Sequence, residues 1–154
     1  MTEPYTLYLM RHGEAAWTSP DPERALTERG REANRRVLDK LLATAPQIDR
    51  ILVSPYRRAR QTAAEAEQRL EMVAQQHNCL TPDESPSATL EALTPHVARH
   101  TLVVAHQPLL GYLASLLDRG DLKEPHPFAT SEILILELEA WAPACGRIIR
   151  SLQP

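Results

Sequence analysis

Short apolar runs alternate along this chain with longer stretches in which apolar residues recur every three or four positions. The first run, Leu7-Tyr8-Leu9-Met10, stops abruptly at Arg11-His12-Gly13-Glu14. It reads as a buried strand that delivers a polar end to the carboxyl edge of a sheet, where open α/β sheets bind ligands. Residues 48–53 form a second strand and residues 101–105 a third, apolar throughout and therefore buried on both faces. A late strand spans 133–138, and after a turn over 140–146 a last strand over 147–152 pairs with it as an edge hairpin. Four helical stretches fill the gaps. The first opens at Leu26-Thr27 with Thr27 as N-cap, carries Ala33, Val37, Leu38, Leu41 and Leu42 on one face, and ends at Pro46. The second starts at Ser54-Pro55, a serine cap before a proline, and runs to about Gln76 with Ala59, Ala63, Ala66, Leu70 and Val73 as its buried stripe. The third restarts at Ser85-Pro86, buries Leu90, Leu93 and Val97 and is interrupted at Pro95; the fourth begins at Pro108 with five apolar leucines. Residues 77–81 form at most a short strand.

This order of strands and helices predicts an α/β protein: a three-layer α/β/α sandwich around a mainly parallel sheet with an antiparallel edge strand. The chain has 154 residues, which fits one domain over 1–154 and a core burying roughly 70% of the unfolded surface. Apolar content is 43% and charged content 24%, the balance of a soluble globular protein. The net charge of −3 gives no global attraction to nucleic acid or to an anionic membrane, so neither is expected as a partner. No apolar run approaches the length of a transmembrane helix, and no secretory signal is visible. Cys79 and Cys145 lie far apart without a metal-binding spacing. Cytoplasmic residence with reduced thiols is the expectation.

The candidate chemistry sits at strand ends. Arg11 beside His12 raises the cost of an imidazolium, so it favours a neutral ring: a nucleophile next to an anion holder. Taken alone, the octapeptide also fits an ordinary surface strand end. A second histidine, His106, follows the run 101–105 and precedes Gln107-Pro108, matching His12 in position; helix N-terminal amides there suit an anion. Arg57, Arg58 and Arg60 crowd the positive end of a helix, a poor place for cations unless one faces a bound anion; Arg57 and Arg60 read as a solvated face. Gly30 in a helical first turn is either a close-packing position or a chance occurrence. Trp17 reads as either a pocket rim or a packing residue. His96 and His100 have an i,i+4 metal-ligand spacing, but no third ligand is visible and no metal is expected. His77 and His126 read as solvent-facing.

Together these residues resemble the histidine phosphatase superfamily, and within it the short bacterial phosphohistidine phosphatase branch, the SixA type. The matching motifs are MRHGEA at 10–15, RALTERG at 24–30, ILVSPYRRARQT at 51–62, LVVAHQPLLGYL at 102–113 and FATSEI at 128–133. They run in family order across nearly the whole chain, and no large insertion marks the mutase or sugar bisphosphatase branches. The resemblance implies a phosphoglycerate mutase-like fold and a metal-independent, cofactor-free phosphatase. His12 would attack phosphorus and become a phosphohistidine. Arg11 and Arg58 would hold phosphoryl oxygens. His106 would stabilise the transferring charge, assisted by the backbone amide of Gln107. Glu84 or Asp83 are the candidates for a proton donor, with Glu14 either a third carboxylate near the pocket or a surface residue facing a helix. The implied substrate is phosphohistidine on a protein, such as a histidine-phosphotransfer domain, releasing inorganic phosphate. The alternatives are a small phosphate ester and a module that binds phosphohistidine without turnover. The sequence departs from relatives at Arg57, at Ala105 and at Asp83-Glu84-Ser85, which leaves the phosphate residues intact and bears on substrate preference.

Overall fold

The computed structural model describes residues 3–154. Six strands form one mixed sheet: β1 (Tyr5–Arg11), β2 (Arg50–Val53), β3 (Gln75–Gln76), β4 (His100–Ala105), β5 (Ile133–Leu138) and β6 (Gly146–Leu152). Their order across the sheet is β3-β2-β4-β1-β5-β6. The first four of these run parallel; β5 runs antiparallel to β1, and the edge strand β6 pairs antiparallel with β5 as the expected hairpin. Helices α1 (Glu28–Ala43) and α2 (Arg57–Leu70) cover one face, and α3 (Pro86–Leu93) and α4 (Leu109–Arg119) the other. This is the expected three-layer α/β/α arrangement.

Strands β1 and β4 are buried on both faces because each is sandwiched between helical layers. Leu7, Leu9, Val103 and Ala105 pack with Leu93, Leu109 and Leu113 on one side. Tyr8, Met10, Leu102 and Val104 pack with Val37, Leu38, Ala59 and Ala63 on the other. Each fully buried leucine contributes roughly 2 kcal/mol through removal of apolar surface from water. Among the described residues no helix is long and apolar enough to cross a membrane.

Several boundaries differ from expectation. Helix α2 begins at Arg57 and not at Ser54-Pro55, and Ser54 is turned to another use described below. It also ends early: Glu71 takes a left-handed conformation (φ 54°), and Val73, expected in the stripe, is 84% exposed. The short strand expected within 77–81 lies just before it, at Gln75–Gln76, and residues 78–80 form a single 3-10 turn. Thr27 caps α1 as expected, its side chain accepting from the Gly30 amide at 3.1 Å.

Gly30 is a close-approach glycine. A β-carbon there would lie 2.3 Å from the carbonyl oxygen of Glu14, a backbone atom with no freedom to move aside. Gly30→Ala should therefore lower stability by about 1–3 kcal/mol from overpacking, outweighing the roughly 1 kcal/mol that alanine adds in helix propensity. Urea unfolding measures the sign; a more stable variant would show that the Glu14 turn yields easily.

Candidate active site

The site is assembled by the sheet itself. β2, β4 and β1 are hydrogen-bonded neighbours, and each ends at the same edge, delivering Ser54, His106 and His12 in a row. Arg11 pairs with Ala105 and Val53 with Val104. The ladder continues one step further: the His12 amide donates to the Ala105 carbonyl at 3.0 Å, and the Ser54 amide to the Val104 carbonyl at 3.1 Å. As a result the rings of His12 and His106 lie 5.1 Å apart, centroid to centroid, though 94 positions separate them in sequence.

His12 is buried and its Nδ1 lies 2.7 Å from the Gly13 carbonyl. A carbonyl only accepts, so Nδ1 carries the proton and Nε2 keeps its lone pair. Arg58 Nε donates to that Nε2 at 3.2 Å. Burial, and then the charges of Arg58, Arg11 and Arg24, push the His12 pKa down to about 4 against the opposing effect of the Gly13 carbonyl. The ring is thus neutral at physiological pH, as a nucleophile requires. Its protonation should be followed by NMR titration: the midpoint is expected near pH 4, and an ordinary midpoint above 6 would refute the burial argument.

Arg58 is only 4% exposed and each of its three guanidinium nitrogens has a partner. Besides His12, it donates through Nη1 to the Asp21 backbone carbonyl at 2.8 Å and through Nη2 to the Asp21 carboxylate at 3.3 Å. That carboxylate also pairs with Arg24 at 3.1 Å. Its slight burial works the other way, but hydrogen bonds and charge from Arg24 and Arg58 hold the Asp21 pKa below the usual carboxylate range. Arg24 in turn donates to the Ala16 carbonyl and lies 4.1 Å over the ring of Trp17, which is 91% exposed. Trp17 is therefore not a packing residue but an exposed ring resting on Arg24. Arg57 and Arg60, on the same helix as Arg58, are exposed as expected.

Arg11 is half-buried and donates through Nη1 to the Phe128 carbonyl at 2.8 Å, and its Nε is buried without a protein partner. Burial and the charge of Arg58 push its pKa down, and Glu132 pushes it back up. His106 is buried, with Nε2 2.7 Å from the Ser54 hydroxyl and Nδ1 unpartnered. Burial first, then His12, Arg58, Arg11 and Arg24, take its pKa down to about 2. Two buried neutral imidazoles lie together with one buried and one half-buried guanidinium, an arrangement that can receive an anion.

The other candidates are placed differently. The Gln107 side chain is used within the fold, accepting from the Gly111 amide and donating to the His126 carbonyl, so only its backbone is at the start of α4. Asp83 and Glu84 are exposed, and Glu84 accepts from the Thr81 hydroxyl at 2.9 Å. Among the described residues no hydrogen bond joins either carboxylate to His12, Arg58 or His106. Glu14 accepts from the Thr27 hydroxyl at 2.6 Å, so it faces the start of α1. His96 and His100 do not share a site: His96 packs on His77, and His100 bonds Asp49 at 2.8 Å. His77 is not solvent-facing at its Nε2, which is buried, and His126 is half-buried against Phe128.

A buried polar network under the His12 loop is not anticipated by the motifs alone. Ser131 Oγ donates to Asn34 Oδ1 at 2.7 Å, Asn34 Nδ2 to Thr62 Oγ1 at 3.2 Å, and Thr62 to the Arg58 carbonyl at 2.8 Å. Thr62 also accepts the Gly13 amide, and the Ser131 amide donates to the carbonyls of Arg11 and His12. A side chain on Gly13 would collide with Asn34 and with the Gly30 carbonyl at 2.9 Å, which is why that position needs glycine. Thr62 and Ser131 lie within the quoted motifs. Asn34 carries its own signal, a polar residue on the apolar face shared by Val37, Leu38 and Leu41.

The family model described as histidine phosphatase superfamily (branch 1) matches residues 7–81. Phosphohistidine phosphatase SixA of Escherichia coli (strain K12) is 35% identical over 141 residues, covering 86% of this chain and 85% of that protein. The chain belongs to the histidine phosphatase superfamily. The structure of the protein histidine phosphatase SixA complexed with tungstate superposes with a TM-score of 0.82 at 35% identity, covering 97% of both chains. A SixA-type chain from Nakamurella multipartitia gives 0.83 at 24% identity, covering 99% of this chain and 98% of that one, and so attests the fold. Within this superfamily the chain is built on the short plan, with its phosphatase motifs spread from β1 to the start of β5.

Proposed function

We propose that this protein is a metal-independent phosphatase that removes the phosphoryl group from phosphohistidine on proteins. His12 Nε2 forms a bond to phosphorus as the bond from phosphorus to the substrate imidazole nitrogen breaks, and that nitrogen takes up a proton. Water then cleaves the His12 phosphoramidate, releasing inorganic phosphate and the free ring. Arg58 and Arg11 hold the phosphoryl oxygens and His106 stabilises the transferring charge, with the Gln107 amide assisting. The observation that carries this reading is the locked tautomer of His12: Nδ1 is tied to the Gly13 carbonyl, which leaves Nε2 unprotonated, its lone pair accepting from Arg58 Nε where a phosphoryl group would displace that contact. Phosphoryl transfer asks mainly for positioning and charge stabilisation, and two guanidiniums supply both.

The substrate class is supported by the SixA relative and by the carboxylates. An alkyl phosphate needs an acid to protonate its alkoxide. Asp83 and Glu84 are unconnected to the cluster, which favours a leaving group as good as imidazole. A small phosphate ester remains the second reading, in which one of these two carboxylates is the proton donor. The test is a ranked panel: a phosphorylated histidine-transfer domain against para-nitrophenyl phosphate, with and without EDTA. A higher kcat/KM on the protein, unaltered by EDTA, is expected; preference for the ester would reverse the assignment.

The exposed indole of Trp17, held flat by Arg24 beside the pocket, suits contact with a protein surface. Trp17→Ala should raise KM for the protein substrate about tenfold, the loss of roughly 1–2 kcal/mol at an aromatic anchor, and leave KM for para-nitrophenyl phosphate unchanged. Equal effects on both substrates would place Trp17 in the pocket proper.

A further inference from the structure

We propose that Ser54 is a positioning residue that fixes His106 with its proton on Nδ1, so that a neutral imidazole donates to the transferring phosphoryl group. The inference rests on the phosphatase reading above and assigns a role to a residue that lies outside the phosphate-binding set.

Ser54 follows the last residue of β2 and is wholly buried. Among the described residues its hydroxyl oxygen has two partners: the Tyr56 amide, which donates to it at 3.2 Å, and His106 Nε2 at 2.7 Å. The amide can only donate, so the hydroxyl proton has one acceptor within reach, Nε2. Were the ring proton on Nε2 instead, three faults would follow together. The buried serine proton would have no acceptor. Nδ1 would be a bare lone pair, buried without a partner. And a ring meant to stabilise phosphoryl oxygens would turn an acceptor toward acceptors. With the hydroxyl donating to Nε2, the serine is satisfied and the only group left open is the Nδ1 proton, which a phosphoryl oxygen completes.

The surroundings fit a neutral donor. The groups facing His106 are the His12 ring and Arg11 from the end of β1, Arg58 from α2, Arg24 from the loop before α1, and the edge of the Tyr56 ring at 5.1 Å. None of the charged groups among them is negative, and the nearby carboxylate of Asp21 is taken up by both Arg58 and Arg24. An imidazolium among these cations is disfavoured, and a neutral N–H supplies the hydrogen bond without the charge. The two histidines then hold the proton on the same ring nitrogen by opposite means. A carbonyl acceptor at Nδ1 leaves His12 with its lone pair on Nε2, beside Arg58, and a hydroxyl donor at Nε2 leaves His106 with an open N–H. One residue type thus serves as nucleophile in one place and as electrophilic support in the other.

Long-range nitrogen–proton NMR of the histidine-labelled free enzyme reads the tautomer directly. The His106 Nδ1 is expected in the protonated range and Nε2 in the lone-pair range, unchanged between pH 5 and 8. Ser54→Ala should move the proton at least partly to Nε2 and lower kcat on a phosphohistidine protein on the order of a hundredfold, the usual loss of one oxyanion donor, with KM within about threefold. Ser54→Thr, which keeps the hydroxyl, should restore the Nδ1 proton and most of kcat. A wild-type His106 protonated on Nε2 overturns the inference whether or not Ser54→Ala folds, and so does a folded Ser54→Ala with full kcat. Label from phosphorylated substrate is followed on His12 in parallel. Its presence beside a failed Ser54 test leaves the phosphatase reading standing, and its absence removes that reading with the Nδ1 proton still measured.

Discussion

Replacing His12 with alanine should abolish turnover while leaving the protein folded. With radiolabelled phosphohistidine protein as substrate, the wild type should give an acid-labile, alkali-stable label on quenching, and His12→Ala none. The rate should fall by at least about a thousandfold, because no other group near phosphorus offers a lone pair. Among the described residues His106 is the other imidazole of the cluster, and its Nε2 is engaged by the Ser54 hydroxyl. Arg58 and Arg11 remain cationic donors and cannot replace it. Folding should survive because the His12 backbone is tied on both sides, its amide to the Ala105 carbonyl and its carbonyl to the Ser131 amide. An unchanged denaturation midpoint beside the lost label separates chemistry from collapse. An acid-labile label persisting in the variant would move the nucleophile elsewhere.

Arg58→Ala should weaken binding of phosphate, vanadate or tungstate by about 2–4 kcal/mol, as the loss of a buried charge-assisted contact does. The consequences extend beyond charge. Arg58 connects His12 to the Asp21 segment through three different nitrogens, so its removal frees that loop and strips the nucleophile of its neighbour. Arg58 also lowers the His12 pKa, so its loss should raise that pKa toward the ordinary value and shift the acid limb of activity upward. Arg58→Lys should recover little, since an ammonium cannot reproduce a planar fork that serves an imidazole, a carbonyl and a carboxylate at once. Calorimetric titration with vanadate, with the His12 titration repeated in the variant, checks both parts. Unaltered oxyanion affinity would remove Arg58 from the pocket.

Much of the site was legible in the sequence because strand ends are abrupt. An apolar run that breaks at Arg11-His12-Gly13, and another that breaks at His106, mark two places on one sheet edge. Parallel pairing of β1 with β4 then brings them together. What escaped was of a different kind. Ser54-Pro55 has the form of a helix start, but the helix begins two residues later because the serine is consumed by His106; local propensity lost to a tertiary hydrogen bond. The helical pattern through Val73 overran the real end of α2, since the left-handed residue that stops it is glutamate, which gives no breaker signal. Glu132 went unassigned although it is buried near Arg11. Its partners, Ser151, Gln153 and the Ala129 amide, are distant or backbone groups that no spacing rule connects.

The separation of the two imidazoles is inherited from the ladder that joins β1 to β4 and is independent of any loop. Backbone pairing of this kind is indifferent to which residues flank it. Apart from Asp21, which holds Arg58, and its partner Arg24, the segments over 15–27 and 81–85 can therefore be exchanged or re-charged without changing the distance between the two imidazoles. For an engineer this separates two tasks: surface loops can be redrafted while the spacing of the two imidazoles stays clamped by main-chain geometry.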